Sequence, residues 1–272
     1  MVEQYYVDEI TQYSRSELQS VLRAAQPPVC LLGGWAVHFH VNPAFRESRG
    51  QDYIGSRDID LGIHVDPRSS PEELDQGSVG QTMRGIEGLG FVSHRFGFKK
   101  SVHRDSGETL TEDDAQEYGM HELFEIYIDV IPDRREPENF EAAFGFRPPA
   151  EPLLQPVFED GAGTPLRDAV EWDIPDVLIA DVPVLAAMKA RSLPDREKTQ
   201  KRVKDVADLH ALLWYGGLEL NEVIQELKSY ISQSDVDRLS EAVDETVRNQ
   251  AAALIGEDPA TIQASLSRLN ID

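Results

Sequence analysis

The segment Ser56-Arg57-Asp58-Ile59-Asp60-Leu61 combines side chains whose types and spacing suit metal and phosphate chemistry. Side chains alternate along a β-strand, so Asp58 and Asp60 point to the same side and can converge on one cation. Two carboxylates suit Mg²⁺, a hard ion that takes oxygen ligands and accompanies phosphates. Ile59 and Leu61 would then face the core. The segment is therefore a candidate site for a divalent ion with a bound phosphate.

A pair of glycines precedes this segment, at the end of a short apolar run. Residues 29–32 are typical of a buried strand, Gly33 and Gly34 of a turn, and residues 35–40 of a helix. Backbone N–H groups at such a turn and helix N-terminus are well placed for a triphosphate.

The strongest strand signal in the chain is Glu122 to Ile131, because its apolar and polar residues alternate. The alternation predicts a core face made of Phe124, Ile126, Ile128 and Val130, with Leu123, Glu125, Tyr127 and Asp129 on the other face. Asp129 thus belongs to a polar face near the end of a central strand. An ordinary aspartate approaching the turn at Pro132-Asp133 is the alternative interpretation, and Asp133 is a less favoured substitute for Asp129.

The order glycine pair, serine and Asp58-x-Asp60 resembles the nucleotidyltransferase fold of polymerase-beta-like enzymes. The form Gly33-Gly34-x-Ala36 is most similar to that of AbiEii-type (abortive infection) toxins. The resemblance covers roughly residues 30–65, 120–131 and 180–213. It implies transfer of a nucleotidyl group from an NTP, with tRNA the acceptor in the best-understood members, and it implies that Asp129 is the third carboxylate.

Two later helices are similar to the helical motifs of the same family. Lys189 lies in a mostly apolar helix, and the next helix carries Lys201, Lys204, Asp205 and Asp208. The resemblance implies that Lys189 contacts the NTP phosphates and that Asp205 or Asp208 completes the site. The alternative is an ordinary surface pair between Lys201 and Asp205, four positions apart.

The resemblance leads to an enzyme hypothesis. Asp58, Asp60 and Asp129 would hold Mg²⁺ or Mn²⁺; Gly33, Gly34, Ser56 and Arg57 would contact the nucleotide, and Lys189 would stabilise charge on the α-phosphate. The chain departs from the family pattern at Ile54, where an Arg is usual, and Arg57 is a possible replacement. The acceptor is left open among tRNA, a partner protein and a small molecule of the aminoglycoside type. The competing class is an inactive binding or antitoxin-like regulatory protein, and a cognate antitoxin is a possible partner.

Composition limits the environment of the protein. The 272 residues carry 49 acidic and 26 basic side chains, for a formal net charge of −23. Dense carboxylates with scarce lysine are typical of proteins that stay soluble in molar salt, so a halophilic source is expected. The same charge disfavours non-specific nucleic-acid binding, although the basic clusters at residues 95–100 and 198–204 are candidates for a local RNA contact. The lone Cys30, the lack of a long apolar run and the polar start predict a cytoplasmic protein without a membrane span.

The element pattern predicts an α/β (α+β) fold, with a mixed sheet, flanking helices and a C-terminal helical domain. The expected boundaries are 1–150 for the nucleotidyltransferase-like domain, 151–175 for a Pro/Gly-rich connection and 176–272 for the helical domain. A first helix is predicted to begin at Ser14, capped with Glu17, and residues 99–119 are predicted to form an exposed hairpin or loop. The sequence disfavours four other kinds of site. These are zinc ligation by His38-x-His40, the Gly-x-Ser-x-Gly motif of hydrolases, a dinucleotide-binding fingerprint and a P-loop.

Overall fold

The structure is a computed structural model that describes Tyr6, residues 8–134 and residues 138–269. Contacts divide the chain into two compact units. A sheet unit contains Asp8–Gly33 and Ser56–Ile179, and a helical unit contains Gly34–Gly55 and the chain from Ala180 onward. This division differs from the expected linear one, because residues 34–55 group with the C-terminal helices. Among the described helices, none is long and apolar enough to cross a membrane.

The helices and strands alternate in the first half, and helices dominate the second. The strands are β1 Val29–Leu32, β2 Ile59–Ile63, β3 Val92–His94, β4 Gly97–His103, β5 Thr109–Leu110, β6 Leu123–Pro132, β7 Gly163–Pro165 and β8 Leu178–Ala180. The helices are α1 Asp8–Ala24, α2 Gly33–Arg49, α3 Pro71–Gln76, α4 Ser78–Gly88, α5 Glu112–Ala115, α6 Glu138–Phe144, α7 Gln155–Glu159, α8 Val182–Ser192, α9 Thr199–Tyr215, α10 Leu220–Leu227, α11 Gln233–Ala242, α12 Glu245–Ile255 and α13 Pro259–Leu266.

The sheet has the strand order β3-β4-β6-β2-β1-β8-β7, with β5 paired to β4. Strand β2 runs parallel to β6 and antiparallel to β1, and β4 runs antiparallel to β6. The predicted α/β class with a mixed sheet is therefore confirmed.

One face of the sheet forms the core of its unit. The apolar residues of β2 and β6 that the alternation assigns to this face are buried: Ile59, Leu61, Ile63, Phe124, Ile126, Ile128 and Val130. Helix α1 contributes an ion pair on this side, since Lys100 of β4 lies 2.9 Å from Glu17 and both side chains are largely buried. Strand β6 thus has the predicted inward and outward faces.

Two expectations from the sequence were wrong. Helix α1 begins at Asp8, so Ser14 and Glu17 lie inside it and do not form a capping box. The predicted hairpin over residues 99–119 is present, since β4 pairs antiparallel with β5, but its first strand is not exposed: residues 97–103 belong to the sheet, and Lys100 and Ser101 are buried. Local propensity missed this burial because it depends on pairing with β6.

The helical unit contains a buried histidine. His210 of α9 has no exposed surface, and its Nδ1 lies 2.8 Å from the hydroxyl oxygen of Ser265. Burial lowers the pKa of His210 from 6.5 to about 4. The folded protein therefore disfavours the protonated ring.

We expect the protein to become less stable as the pH is lowered from 6.5 to 4, because the buried His210 resists protonation in the folded state. A lowered pKa in the folded state leaves stability intact above pH 6.5 and removes about 2 kcal/mol by pH 5. In urea unfolding at several pH values, His210→Gln should lose less stability than wild type over this range. Identical pH dependence in the two proteins would contradict the assignment.

Candidate active site

Asp60 and Asp129 face each other across two adjacent parallel strands. They are register partners in the β2–β6 pair, and neighbouring strands lie about 4.8 Å apart. Register partners point to the same face of a sheet, and both residues are partly exposed while their strand neighbours are buried. Asp129 is therefore not turned away from the aspartate pair. Strand pairing brings together two of the three carboxylates predicted from sequence.

Gly33 makes room for the carboxylate of Asp60. A Cβ atom placed on Gly33 would lie 1.7 Å from Oδ2 of Asp60. This distance is far shorter than any non-bonded contact, so only glycine fits here while Asp60 keeps its position. Gly33 also has a φ of +63°, a left-handed value that favours glycine. Helix α2 begins at this residue. The glycine is thus required twice, by the backbone conformation and by the close approach of Asp60.

Asp58 lies immediately before β2, on a segment that α1 holds in place. The hydroxyl of Ser14 donates a hydrogen bond of 3.1 Å to the carbonyl oxygen of Arg57, and Ser56 is buried. Burial raises the pKa of Tyr127, and the hydrogen bond from its hydroxyl to Glu125 and the charges of Glu125 and Asp58 raise it further. The charge of Asp58 is thus one of those that act on Tyr127, a residue on the same face of β6 as Asp129.

The side-chain types of Asp58, Asp60 and Asp129 suit a divalent cation with oxygen ligands, although among the described residues the three do not bring one ligand atom each within 4.8 Å of one another. Asp58, Asp60 and Asp129 offer only carboxylate oxygens, which suit Mg²⁺ or Mn²⁺ better than softer ions. The carboxylate of Asp60 occupies the space beside the first residue of α2, where backbone N–H groups lack intrahelical partners. The donor chemistry thus matches the ion that the sequence predicts.

In the helical unit, Lys189 belongs to a buried ion-pair network. Its ammonium group pairs with Asp205 and lies 2.9 Å from Oδ2 of Asp208. Lys204 lies 2.5 Å from the other oxygen of Asp208, and Nε of Arg196 lies 2.6 Å from Asp205. The network joins α8 to α9 through Lys189, Lys204, Asp205 and Asp208, which are largely buried, while Arg196 is partly exposed.

The two aspartates favour the charged form of Lys189, whereas burial lowers the pKa of Lys204 despite their charges. Burial by itself lowers the pKa of Lys189, but the charges of Asp205 and Asp208 more than compensate, and its pKa lies above the usual value. The charges of Lys189 and Lys204 hold the pKa of Asp208 below its usual value against the effect of burial. Tyr53 completes the network by donating a hydrogen bond of 2.9 Å to Asp208. Lys189 and Asp208 therefore stabilise each other in their ionised forms.

The alternative of a surface pair between Lys201 and Asp205 was wrong, because Asp205 is only 3% exposed and pairs with Lys189 and Arg196. The two basic clusters are also less available than their sequence indicates. Lys100 and Lys204 are both buried and paired with carboxylates.

The histidines of helix α2 have structural partners. The Nδ1 atom of His38 lies 2.9 Å from the carbonyl oxygen of Tyr53, and Nε2 of His40 lies 2.9 Å from that of Ala180. Cys30 is a buried free thiol of β1. These contacts explain the residues without a zinc ion.

Sequence reasoning missed three residues that support the predicted ones. Ser14 was interpreted as a helix cap, although it contacts the segment before Asp58. No local sequence pattern marks Tyr53 or Arg196 as a partner of the aspartates. Tyr53 contacts Asp208, which is far away in sequence, and Arg196 contacts Asp205 across the turn before α9. Ser14 is a polar residue at an otherwise apolar position of α1, and this pattern could have indicated that its buried hydroxyl makes a hydrogen bond.

Comparisons with known proteins give little support of their own. The chain matches no protein-family model, and no curated protein matches it either. Among solved structures it is similar to an antigenic nucleotidyltransferase-like protein from Paracoccidioides brasiliensis, with 14% identity and a TM-score of 0.36. The similarity covers 87% of this chain and 94% of that one.

We expect Gly33→Ala to abolish metal-dependent binding of an NTP at the aspartates. The new methyl group must displace the Asp60 carboxylate, so the affinity for Mg²⁺-NTP should fall at least about tenfold, or about 1.4 kcal/mol. Calorimetric titration measures this affinity.

Gly50→Ala is the matched control. Gly50 has a similar φ of +73°, but a Cβ atom added to it would have no described atom within 4 Å. Both variants should lose about 1–2 kcal/mol of stability from left-handed strain, and only Gly33→Ala should lose the ligand. Equal affinities would show that the space beside Asp60 does not matter.

We expect Lys189→Ala to destabilise the protein strongly, because it leaves Asp205 and Asp208 buried without their shared cation. Removing one partner of a buried pair costs about 3–5 kcal/mol. The exposed Lys198→Ala should change stability by less than about 0.5 kcal/mol. Thermal melts measure both, and an unchanged melting temperature for Lys189→Ala would show that the network is not structural.

Proposed function

We propose that the protein is a metal-dependent nucleotidyltransferase that moves an NMP from an NTP to an acceptor hydroxyl. The observation that carries the proposal is the register of β2 against β6, which sets Asp60 opposite Asp129 on one face. Asp58 and the Gly33 turn lie at the same end of β2. Nucleotidyl transfer needs this combination, because carboxylates must hold the cation of the triphosphate beside the group that receives the acceptor proton.

The reaction forms one bond and breaks one bond at the α-phosphorus. The acceptor oxygen bonds to the α-phosphorus, the bond from that phosphorus to the bridging oxygen breaks, and pyrophosphate leaves. Asp129 accepts the proton of the attacking hydroxyl. Asp58 and Asp60, with Asp129, would hold Mg²⁺ or Mn²⁺, which supplies positive charge to the phosphates. The roles of these residues stay predictions for variants to test.

The neighbouring residues would bind and orient the nucleotide. Gly33 and Gly34 offer backbone N–H groups at the start of α2, Ser56 offers a hydroxyl, and Arg57 is the cation next to the aspartates. Ser14 holds the carbonyl of Arg57 and thereby positions this segment. The family usually carries an arginine where this chain has Ile54. Arg57 would take over the contact of that arginine with the nucleotide.

The phosphate role of Lys189, Asp205 and Asp208 is a separate part of the proposal. One observation supports it: Lys189, Arg196 and Lys204 bring three cations together around two aspartates in one network. If Lys189 binds phosphate, Lys189→Ala should lower the NTP affinity of the folded fraction. Unchanged affinity there would leave Lys189 a structural residue.

The acceptor that the resemblance favours is tRNA, in a toxin-antitoxin or phage-defence setting with a cognate antitoxin. A protein or an aminoglycoside-type small molecule are the other acceptors. The competing function is a non-catalytic, antitoxin-like binding protein. One observation favours it: the charge of Lys189 is already matched by two aspartates within the protein.

Replacing both Asp58 and Asp60 with Asn should leave the fold nearly intact and abolish Mg²⁺-dependent NTP binding. Both residues are partly exposed, so their charges matter more to a cation than to packing. The exposed Asp105→Asn is the matched control for loss of negative charge. Calorimetric titration of NTP with and without Mg²⁺ measures the effect, and unchanged binding would overturn the assignment.

Turnover is tested with each α-³²P-labelled NTP, Mg²⁺ or Mn²⁺, and total tRNA in molar salt. The enzyme should label the acceptor, and Asp129→Asn should not. NTP binding without labelling of RNA, protein or an aminoglycoside would favour the non-catalytic protein.

A further inference from the structure

The carboxyl ends of β2 and β6 carry a second group of metal-type side chains. His64 follows Ile63 and Asp133 follows Pro132, and Ile63 and Pro132 are register partners. Glu159 is the last residue of α7. His64, Asp133 and Glu159 each offer one ligand atom, and the three atoms lie within 4.8 Å of one another. We propose that this cluster binds Zn²⁺ or a similar divalent transition ion.

The donor types select the class of ion. An imidazole with two carboxylates suits Zn²⁺, Co²⁺ or Mn²⁺, whereas Mg²⁺ prefers oxygen ligands alone. Three protein ligands leave a position for water in a four-coordinate site. The imidazole therefore favours Zn²⁺ or Co²⁺ at the cluster, whereas Mg²⁺ or Mn²⁺ is expected at the all-carboxylate site of Asp58, Asp60 and Asp129.

Asp133 is already held in a fixed orientation. It is fully buried, Oδ1 accepts a hydrogen bond of 3.0 Å from the N–H of Val65, and Oδ2 lies 2.7 Å from Nδ1 of His64. Its backbone carbonyl accepts a hydrogen bond of 3.1 Å from Gln155. The ring of His64 packs against Phe158, with 5.6 Å between ring centroids. The side chains of Asp133 and His64 would therefore lose little conformational freedom when an ion binds.

The distance between His64 and Asp133 requires only a small adjustment, and Glu159, whose ligand atom lies within 4.8 Å of theirs, has to approach by at most about 1.5 Å. Two ligand atoms on a tetrahedral Zn²⁺ with bonds of about 2.0 Å are about 3.3 Å apart. His64 Nδ1 and Asp133 Oδ2 therefore have to separate by about half an ångström. His64 and Glu159 are both partly exposed and can move by this amount.

Arg134 lies where it neutralises the cluster. Its guanidinium pairs with Glu159, and its Nε lies 3.9 Å from Oδ2 of Asp133. That Nε is buried and has no hydrogen-bond partner among the described residues. A metal ion would supply the same positive charge with better coordination of both carboxylates. Binding should therefore displace Arg134, and the arginine should oppose the ion.

The cluster is separate from the candidate active site. His64 follows Asp60 by four positions along the chain, or ~13 Å at about 3.3 Å per residue. The proposal does not depend on nucleotidyl transfer, because each site has its own variants. An ion at the cluster would link the ends of β2 and β6 to α7.

The test is a titration of the full chain with Co²⁺, followed by its visible d–d absorption, and with Zn²⁺ in competition. Wild type should bind one ion with this spectroscopic signature. His64→Gln and Glu159→Gln should each weaken binding about tenfold or more, and neither removes a fully buried group. Arg134→Gln should bind the ion more tightly than wild type, because it removes the competing cation.

His121→Gln, at an exposed histidine of the same unit, and Asp58→Asn with Asp60→Asn are the controls and should bind Co²⁺ as wild type does. The proposal is overturned if binding survives in His64→Gln, if Arg134→Gln binds more weakly, or if no saturable signal appears. Loss of Co²⁺ binding in the Asp58 and Asp60 variant alone would place the ion at the other carboxylates and would also overturn it. Loss of Mg²⁺-NTP binding with intact Co²⁺ binding bears on the proposed function only.

Discussion

The pairing register of β2 against β6 is the constraint on which the rest of the site depends. It sets Asp60 beside Asp129 at the start of β2, and His64 beside Asp133 just past the carboxyl ends of both strands. A slip by one residue would move every side chain of one strand to the opposite face. The buried Ile59, Leu61 and Ile63 prevent this, since they would be exposed. The hydrophobic core therefore fixes the positions of the aspartates and of His64 at the surface of the sheet.

Gly33 shows how closely the backbone is adapted to that register. Its left-handed conformation ends β1 and starts α2, and the missing side chain leaves room for Asp60. Ser14 has a comparable role from the core side, where it fixes the carbonyl of Arg57. Both residues act on the aspartates through position, although neither carries a charge.

The network around Lys189 illustrates the different behaviour of charges in the interior. The protein has a large excess of acidic residues, yet Asp205 and Asp208 are surrounded by Lys189, Lys204 and Arg196. In the interior each charge needs a partner, because desolvation is costly. At the surface the excess acid is solvated and screened by salt. The net charge of the chain is therefore a poor guide to the environment of these two aspartates.

Local patterns in the sequence determined strands β1, β2 and β6, the two faces of β6, the aspartate pair and the glycine turn. Period-two alternation and turn chemistry act over a few residues, so the sequence by itself is sufficient to recognise them. Only the tertiary structure decided that α1 begins before Ser14, that residues 97–103 form a buried strand, and that Lys189 and Arg196 are the partners of Asp205. It also decided the juxtaposition of His64, Asp133 and Glu159. Each of these depends on contacts between residues distant in sequence, and the free energy of such contacts comes from burial that no local pattern records.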